Sequence, residues 1–434
     1  MRVYLESLGC KLNQSEMDAL ARQLAAAGHE VVTAAEAADL CVLNTCTVTH
    51  VAARKSRQAA HRLRRHNPKA YLVITGCYAE LSHQALEADL VVSNQDKGRL
   101  SELISTTLIA SASPAPHSPA SKAHLPGLRT RAFVKIQDGC DNTCTYCIVR
   151  VARGRQRSRP RHEILDEIRA RVAEGYKEIV LTGVHIGAYG RDHAGPVQDD
   201  LPALVTTILR ETDVPRLRLS SIEPWDLSPT FFELWASPRL CRHLHLPLQS
   251  GCDATLRRMG RRYDTDTFAQ LVAAARQAIP GVAITTDLIV GFPGESEEEF
   301  ATSYEFVAQM AFARVHVFPY SARPDTPAAA MPDQVPHQVR KARARQMAAL
   351  GQQMADRFRR QFVGQTLEVL WEHGRNAAQA CTWSGLTDNY IRVTTVSREN
   401  LSNTLTPTRL TAVTPTGMEG VPLSPSATRP RLIR

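Results

Sequence analysis

The sequence predicts an α/β protein in three parts: an N-terminal doubly wound open sheet, a central partial (β/α)6 barrel, and a small C-terminal β-barrel. Three observations carry this expectation. Residues 1–100, and again Ala132–Pro319, alternate short apolar runs with helical patterns, as parallel βα units do. A stretch rich in Pro, Ala, Ser and His, Ser111–Pro126, separates the two series. From Phe362 onward, short strand-like runs are broken by Gly, Asn, Asp and Pro. The expected divisions are residues 1–110, a linker over 111–128, residues 129–361 and residues 362–434.

In the first part, Val3–Leu8, Leu40–Asn44, Tyr71–Thr75 and Leu90–Ser93 read as buried strands, with helices such as Gln14–Ala27 and Val51–His66 between them. Short units of this kind wind helices onto both faces of an open sheet. In the second part the strands are Ala132–Gln137, Glu178–Thr182, Leu217–Ser221, His243–Leu246, Ala283–Val290 and Val315–Pro319. Helices include His162–Glu174, Phe268–Ala278 and Glu297–Met310. Six repeats are too few to close an eight-fold barrel, so the barrel is expected to be partial. A basic helix from His337 to Arg360 ends it. In the tail, Thr366–Trp371, Ala380–Trp383, Tyr390–Thr394 and Arg409–Val413 suit a small closed sheet.

With 434 residues, 43% of them hydrophobic, the chain has ample material for a core. Lys and Arg total 52 against 43 Asp and Glu, a formal charge of +9 that favours a polyanionic partner such as nucleic acid. No run approaches the roughly 18 apolar residues of a membrane span. The N-terminus lacks the apolar segment of a signal peptide, so a cytoplasmic protein with no membrane partner is expected. Ten cysteines in a reducing compartment then point to metal or redox chemistry rather than to disulfides.

The strongest motif is Cys140-Asp-Asn-Thr-Cys144-Thr-Tyr-Cys147, just after the first central strand. Its three thiolates suit one metal centre. Structural zinc wants four protein ligands, and no fourth lies nearby. A four-iron cluster held by three cysteines instead leaves one iron open to a small molecule. Cys10, Cys46 and Cys77 lie far apart, yet each directly follows an expected strand. In a doubly wound sheet the carboxyl ends of parallel strands share one ligand-binding edge, where these thiols can converge on a second cluster. Singly, each would more often be a buried structural thiol. Cys41 reads as core, and Cys241, Cys252 and Cys381 have no partner pattern.

The three-cysteine loop resembles that of the radical S-adenosylmethionine superfamily. Its flanks, Gln137-Asp-Gly-Cys and Tyr146-Cys-Ile-Val, resemble the methylthiotransferase branch. The likeness extends over nearly the whole chain, through His245-Leu-Pro-Leu-Gln-Ser-Gly251, Thr286-Asp-Leu-Ile-Val-Gly-Phe-Pro-Gly-Glu295 and Phe318-Pro-Tyr-Ser-Ala-Arg-Pro324. Leu8-Gly-Cys10, Asn44-Thr-Cys46 and Thr75-Gly-Cys77 resemble that branch's auxiliary-cluster ligands. The resemblance implies two [4Fe–4S] clusters and S-adenosylmethionine. The cluster on Cys140, Cys144 and Cys147 would cleave S-adenosylmethionine to a 5′-deoxyadenosyl radical, and the cluster on Cys10, Cys46 and Cys77 would carry the sulfur to be transferred. Strand ends should supply the cofactor contacts, which points to Gly183, His185, Ser221, Glu223 and Gln249. Many superfamily members have Gly-Glu after the second strand; here Val184 follows Gly183, so the amino-group contact must come from elsewhere. Glu223 as a structural carboxylate and His185 as a satisfied loop residue are the ordinary alternatives. Arg150-Val151 replaces the family's usual Pro-Tyr beyond the cysteine loop.

Arg150, Arg153, Arg155, Arg157, Arg159 and Arg161 form a basic stretch beside the loop that suits phosphate contacts. A second basic run, Arg54–Arg65, reads as the wet face of a helix. The tail resembles the TRAM module, an OB-like RNA-binding barrel, with Trp371, Trp383 and Tyr390 as candidates for stacking on bases, although aromatics in so small a barrel are more often core. Within the family, Thr182-Gly-Val-His-Ile-Gly-Ala-Tyr-Gly190 and Gly139-Cys-Asp-Asn142 look most like the branch that methylthiolates N6-threonylcarbamoyladenosine in tRNA. The isopentenyladenosine branch is second, and a ribosomal-protein substrate third. The implied partners are the anticodon stem-loop of tRNA and an electron-donor protein such as flavodoxin or ferredoxin. A non-catalytic RNA-binding protein with structural metal and a redox sensor are the readings from other classes. The sequence is silent on oligomeric state.

Overall fold

The structure, a computed structural model, describes residues 1–82, 86–109, 130–193, 199–377 and 380–423. The expected linker over 111–128 lies outside the described residues. Five parallel strands make the first sheet: β1 (Arg2–Ser7), β2 (Glu30–Val32), β3 (Leu40–Thr45), β4 (Tyr71–Gly76) and β5 (Leu90–Val92), in the order β2-β1-β3-β4-β5. Helices α1 (Lys11–Ala26) and α4 (Leu100–Ile109) cover one face, where Val3, Leu20, Leu24, Val42, Val73 and Ile104 pack together. Helix α2 (His50–His66) covers the other with Ala59, Ala60 and Leu63 against Cys41, Leu43 and Ile74. Central β3 is buried throughout, which is why its sequence runs apolar without alternation. The short edge strand β2 is too brief to show a period, and the sequence did not reveal it. Helix α3 (Cys77–Ser82) follows β4 without a break.

The central region contains six parallel strands, β6 (Arg131–Lys135), β9 (Glu178–Thr182), β10 (Arg216–Leu219), β11 (His243–His245), β12 (Ala283–Val290) and β13 (Arg314–Pro319). They pair as β10-β9-β6 and β11-β12-β13. Bridges from Leu217 to Leu240 and from Ser221 to His245 join the two halves into one curved sheet, open between β6 and β13. Two-residue strands β7 (Gln137–Asp138) and β8 (Arg157–Ser158) pair at the mouth, flanking α5 (Val149–Arg153). The outer face carries α6 (Arg161–Ala173), α7 (Leu201–Glu211), α8 (Asp253–Arg258), α9 (Thr265–Ala278), α10 (Glu297–Met310) and α11 (His337–Arg360). Their apolar faces meet Val134, Ile179, Leu217, Leu244, Ile284 and Leu288 in the main core. The residues between these point the other way and make a polar lumen.

The C-terminal strands β14 (Thr366–Ala377), β15 (Ala380–Thr387), β16 (Arg392–Ser397), β17 (Leu405–Thr414) and β18 (Gly417–Pro422) form a closed barrel in the order β14-β15-β16-β18-β17. Strand β18 was hidden by Gly417, Gly420 and Pro422, which read as turn residues. Closure against β16 and β17 places it. Composition suggested a small barrel, and this five-stranded closure is of the OB-like type that the resemblance to the TRAM module implied. Its tryptophans take the core role, not the stacking one. Trp371 is fully buried and Trp383 nearly so, both in the barrel core. Neither ring is free to stack on a base.

Two contacts set the N-terminal sheet across the open side of the central barrel. Helix α1 packs along β6. At the opposite edge, Arg323, beyond β13, donates to Thr47 Oγ1 at 2.6 Å, and the His50 amide donates to Ser321 Oγ at 3.2 Å.

Candidate functional site

The chain turns sharply from strand to helix at Gly9-Cys10 and Gly76-Cys77. Gly9 has φ +95° and Gly76 +97°, a region side chains rarely enter. A Cβ on Gly9 would lie 2.6 Å from Cys46 Sγ, so the Cys46 thiol packs directly over the Gly9 backbone. Cys10 ends up as the N-cap of α1, Cys46 just past β3, and Cys77 at the head of α3. All three are free thiols at the carboxyl edge of the first sheet, where the strand-end argument placed them. Asn13 organises this edge. Its Nδ2 donates to the carbonyls of Leu8 (2.8 Å) and Thr45 (3.0 Å), and its Oδ1 faces Cys10 Sγ at 3.8 Å. Burial pushes the Cys46 thiol up to about 11 and raises Cys77.

The second set lies in the loop after β7. The Cys140 amide donates to the Gly154 carbonyl, and the Cys147 amide to the Cys144 carbonyl, each at 3.1 Å. The Asn142 amide reaches Cys140 Sγ at 3.4 Å. Burial pushes Cys147 up to about 12 and raises Cys144 against the pull of Arg261. Thiols with such values keep their protons unless a cationic centre replaces them. Among the described residues, no three His, Cys, Asp or Glu side chains converge closely enough to hold one metal ion. A cluster of four irons is wider than one ion and takes its thiolates further apart. All six cysteines are unpaired, sulfur-only donor sets with no carboxylate or imidazole among them, the chemistry that suits iron–sulfur clusters rather than hard cations.

The strand ends bring some of the expected cofactor residues to this loop. Glu223 is ion-paired with Arg261, whose Nη1 also reaches Cys144 Sγ at 3.5 Å and whose guanidinium lies 4.7 Å from the Trp225 ring. His185 contacts Asp226 at 2.5 Å through Nε2 and Asn142 at 3.3 Å through Nδ1. Burial works against its charged form, but Asp226 and Cys140 prevail and lift it to about 9. Gly183 lies under Ile186, and the Val184 and His185 amides beyond it donate to Gln137 Oε1. Gln249 takes a left-handed φ of 66° and joins β12 through Asp287 and Ile289. Ser221 bridges to His245. Among the described residues Gln249 and Ser221 make no hydrogen bond to the cysteine loop, whereas His185 meets Asn142 directly and Glu223 reaches Cys144 only through Arg261.

Sequence reasoning missed Arg261, Asp226 and the charges between the two cysteine sets. Arg153 Nη1 donates to Glu16 Oε1 and to Asp138 Oδ1, each at 2.9 Å, and Nη2 donates to Asn13 Oδ1 at 2.6 Å. Lys97 and Lys135 complete the cluster around Glu16. One guanidinium therefore ties the element after Cys10 to the residue two before Cys140. This corrects the RNA-facing reading of the arginine run. Arg153 is buried, Arg159 pairs with Glu167, and Arg161 with Asp199. Arg150, Arg155 and Arg157 stay exposed. On α2, Arg62 pairs with Glu6 and Arg64 with Asp89, while Arg54, Lys55 and Arg65 are exposed, the wet face that was expected. Tyr390 is corrected too. It enters the barrel floor, stacks on His243 at 4.5 Å, and sits beneath Arg218.

A partial barrel whose first strand leads into a three-cysteine loop, with charged residues on neighbouring strand ends, defines a radical S-adenosylmethionine enzyme. Residues 134–307 match the Radical SAM superfamily, and residues 2–94 match an uncharacterized protein family, UPF0004. The chain is 39% identical to the threonylcarbamoyladenosine tRNA methylthiotransferase MtaB of Bacillus subtilis over 92% of its own length and 91% of that protein's. For the protein of that name from Thermotoga maritima the figures are 37%, 85% and 86%. For a tRNA-2-methylthio-N(6)-dimethylallyladenosine synthase of Desulfosudis oleivorans they are 35%, 92% and 90%. The chain belongs to the radical S-adenosylmethionine methylthiotransferase family, and is an enzyme that transfers a methylthio group. That family works with a [4Fe–4S] cluster and S-adenosylmethionine. Among solved structures, the radical S-adenosylmethionine methyltransferase TsrM of Kitasatospora setae shares the fold, with a TM-score of 0.56 at 17% identity over 76% of this chain and 77% of that one. No described helix is long and apolar enough to cross a membrane.

Proposed function

We propose that this enzyme methylthiolates C2 of N6-threonylcarbamoyladenosine at position 37, in the anticodon stem-loop of tRNA. The observation that carries the reading is the pair of three-cysteine sets, joined through Arg153 across the open side of one barrel. When a cluster and S-adenosylmethionine are bound at Cys140, Cys144 and Cys147, reductive cleavage supplies a 5′-deoxyadenosyl radical. Cys10, Cys46 and Cys77 hold the second [4Fe–4S] cluster, which carries the sulfur. Arg261 holds Glu223 and faces Cys144, so the carboxylate is pre-positioned for the cationic end of S-adenosylmethionine. By their place at neighbouring strand ends, Gly183, His185, Ser221 and Gln249 are assigned the remaining contacts to that cofactor. Asp226 fixes the His185 ring beside Cys140.

The basic charge and the exposed Arg150, Arg155 and Arg157 support an RNA substrate, since arginine grips phosphate. Exposed Val48, Val51, Val151 and Phe318 near the cysteine loops and the end of β13 support entry of an unstacked base there. In this division of labour residues 1–110 hold the auxiliary cluster, 129–361 run the radical chemistry, and 362–434 grip RNA. Work in the cytoplasm, with electrons from a flavodoxin- or ferredoxin-like donor, fits the same reading. The names of the Bacillus and Thermotoga relatives favour threonylcarbamoyladenosine. The Desulfosudis relative's name makes the dimethylallyl nucleoside the second reading. Nucleoside mass spectrometry of tRNA from cells lacking the gene, and from complemented cells, tests it. Loss and recovery of 2-methylthio-N6-threonylcarbamoyladenosine is expected, and a deficit confined to the isopentenyl analogue overturns the assignment.

A further inference from the structure

Strand alternation fills the barrel lumen with polar side chains, among them Arg131, Glu178, Arg218, His243, His245, Thr285 and Asp287. The arginines named here and His245 each have an acceptor. Arg218 grips Glu178 at 2.7 and 3.1 Å, and Arg131 holds Glu372 at 2.7 Å. His245 reaches Thr285 at 2.9 Å and Asp287 at 3.4 Å. One cation arrives from outside the barrel: Lys11, the first residue of α1, which enters through the side open between β6 and β13. Its ammonium lies 5.8 Å from the centre of the Tyr390 ring. Among the described residues it has no ion-pair or hydrogen-bond partner. Glu178, the carboxylate of that neighbourhood, is already shared by Arg131, Arg216 and Arg218.

An ammonium has three donors and no acceptor, and withdrawing it from water without a partner is costly. Such a charge selects for a ligand that brings the missing anion and against one that is hydrocarbon. Lys11 adjoins Cys10, so a group it binds lies beside the first cysteine set. On adenine, C2 and C6 flank N1 of the same ring, and C6 carries N6. A base that turns C2 to the cysteines therefore runs its N6 substituent along the adjoining edge. We propose that Lys11 is the receptor for the carboxylate of that substituent, and so a specificity-determining residue. This rests on the threonylcarbamoyl reading above, because a threonylcarbamoyl group ends in a carboxylate whereas a dimethylallyl group is uncharged.

The test needs no turnover. Reconstituted full-length protein is titrated calorimetrically with N6-threonylcarbamoyladenosine and with its methyl ester, which keeps the shape and loses the charge. Wild type should prefer the acid by about tenfold, the scale of one charge-assisted hydrogen bond. Lys11→Met should bind both alike, and Lys11→Arg should keep the preference. A wild type indifferent to the ester, or a Lys11→Met that still discriminates, overturns the assignment. A second arm separates this from the parent reading. Wild-type holoenzyme that modifies only isopentenyl-bearing tRNA sinks the nucleoside assignment and Lys11's role with it. Turnover of threonylcarbamoyl-bearing tRNA with an unchanged KM in Lys11→Met sinks the role of Lys11 alone.

Discussion

Arg153 and Glu16 stand 137 positions apart in the chain and meet at 2.9 Å in a buried ion pair. The contact joins the helix that follows Cys10 to the helix that follows Cys147. Asp138 and Asn13 share the same guanidinium, so one side chain joins the turn at Cys10 to the loop of Cys140.

Replacing Arg153 with Met leaves Glu16 and Asp138 buried with only lysines beside them. Losing one partner of a buried pair costs about 3 kcal/mol or more. Urea denaturation should show that loss; a change below about 1 kcal/mol would mean that the two halves are held by other contacts.

The cysteine sets should fail differently. Cys144→Ala is expected to abolish 5′-deoxyadenosine formation. Cys46→Ala should keep that cleavage but lose methylthio transfer, with bound iron halved in both variants. Full product formation by both proteins is the result that would sink the two-cluster assignment.

Glu178 is enclosed by arginines. Burial favours its neutral form, but Arg218, Arg216 and Arg131 outweigh it and hold the carboxyl at about 2 rather than the ordinary 4.5. A depressed carboxylate stabilises the fold above its unfolded value, and that contribution is lost as pH falls from 4.5 toward 2. Stability of the wild type should therefore drop across that window, more steeply than that of Glu178→Gln. The variant itself should be about 3–5 kcal/mol weaker at neutral pH, since Arg216 and Arg218 lose their counter-charge while Arg131 keeps only Glu372. Parallel acid profiles for the two proteins would contradict this.

Of the arginine run, Arg150 and Arg155 have exposed side chains without an acid partner among the described residues. Alanine at either position should weaken tRNA binding and lower the salt dependence of the affinity by roughly one unit of slope. Arg159→Ala and Arg161→Ala should instead act through stability, because those side chains pair with Glu167 and Asp199. Filter-binding titrations over a salt series distinguish the two kinds, and an unchanged slope in Arg150→Ala and Arg155→Ala would remove this face from the RNA surface.

Most strands and helices were legible because burial leaves a periodic mark on the chain. Ala283–Val290, Glu297–Met310 and His337–Arg360 fall where the pattern put them. Strands β2 and β18 were not legible, since one is three residues long and the other is built of residues that favour turns. Both cysteine sets were visible for a related reason. A loop motif is local, and three strand ends in a parallel sheet must share an edge whatever the remaining packing.

The sequence by itself determined the order of βα units, the placement of the cysteines on loops and strand ends, and the excess of positive charge. Only the tertiary structure decided what the charges do. A formal charge is a property of a residue, whereas its effect depends on the distance and burial of a partner hundreds of atoms away along the chain. Packing buries Arg153, ties Arg159 and Arg161 to carboxylates, buries Trp371 and Trp383 in a barrel core, and turns Tyr390 into the lumen floor. The same packing brings Lys11, which no motif marks, to the Tyr390 ring without an ion-pair partner among the described residues.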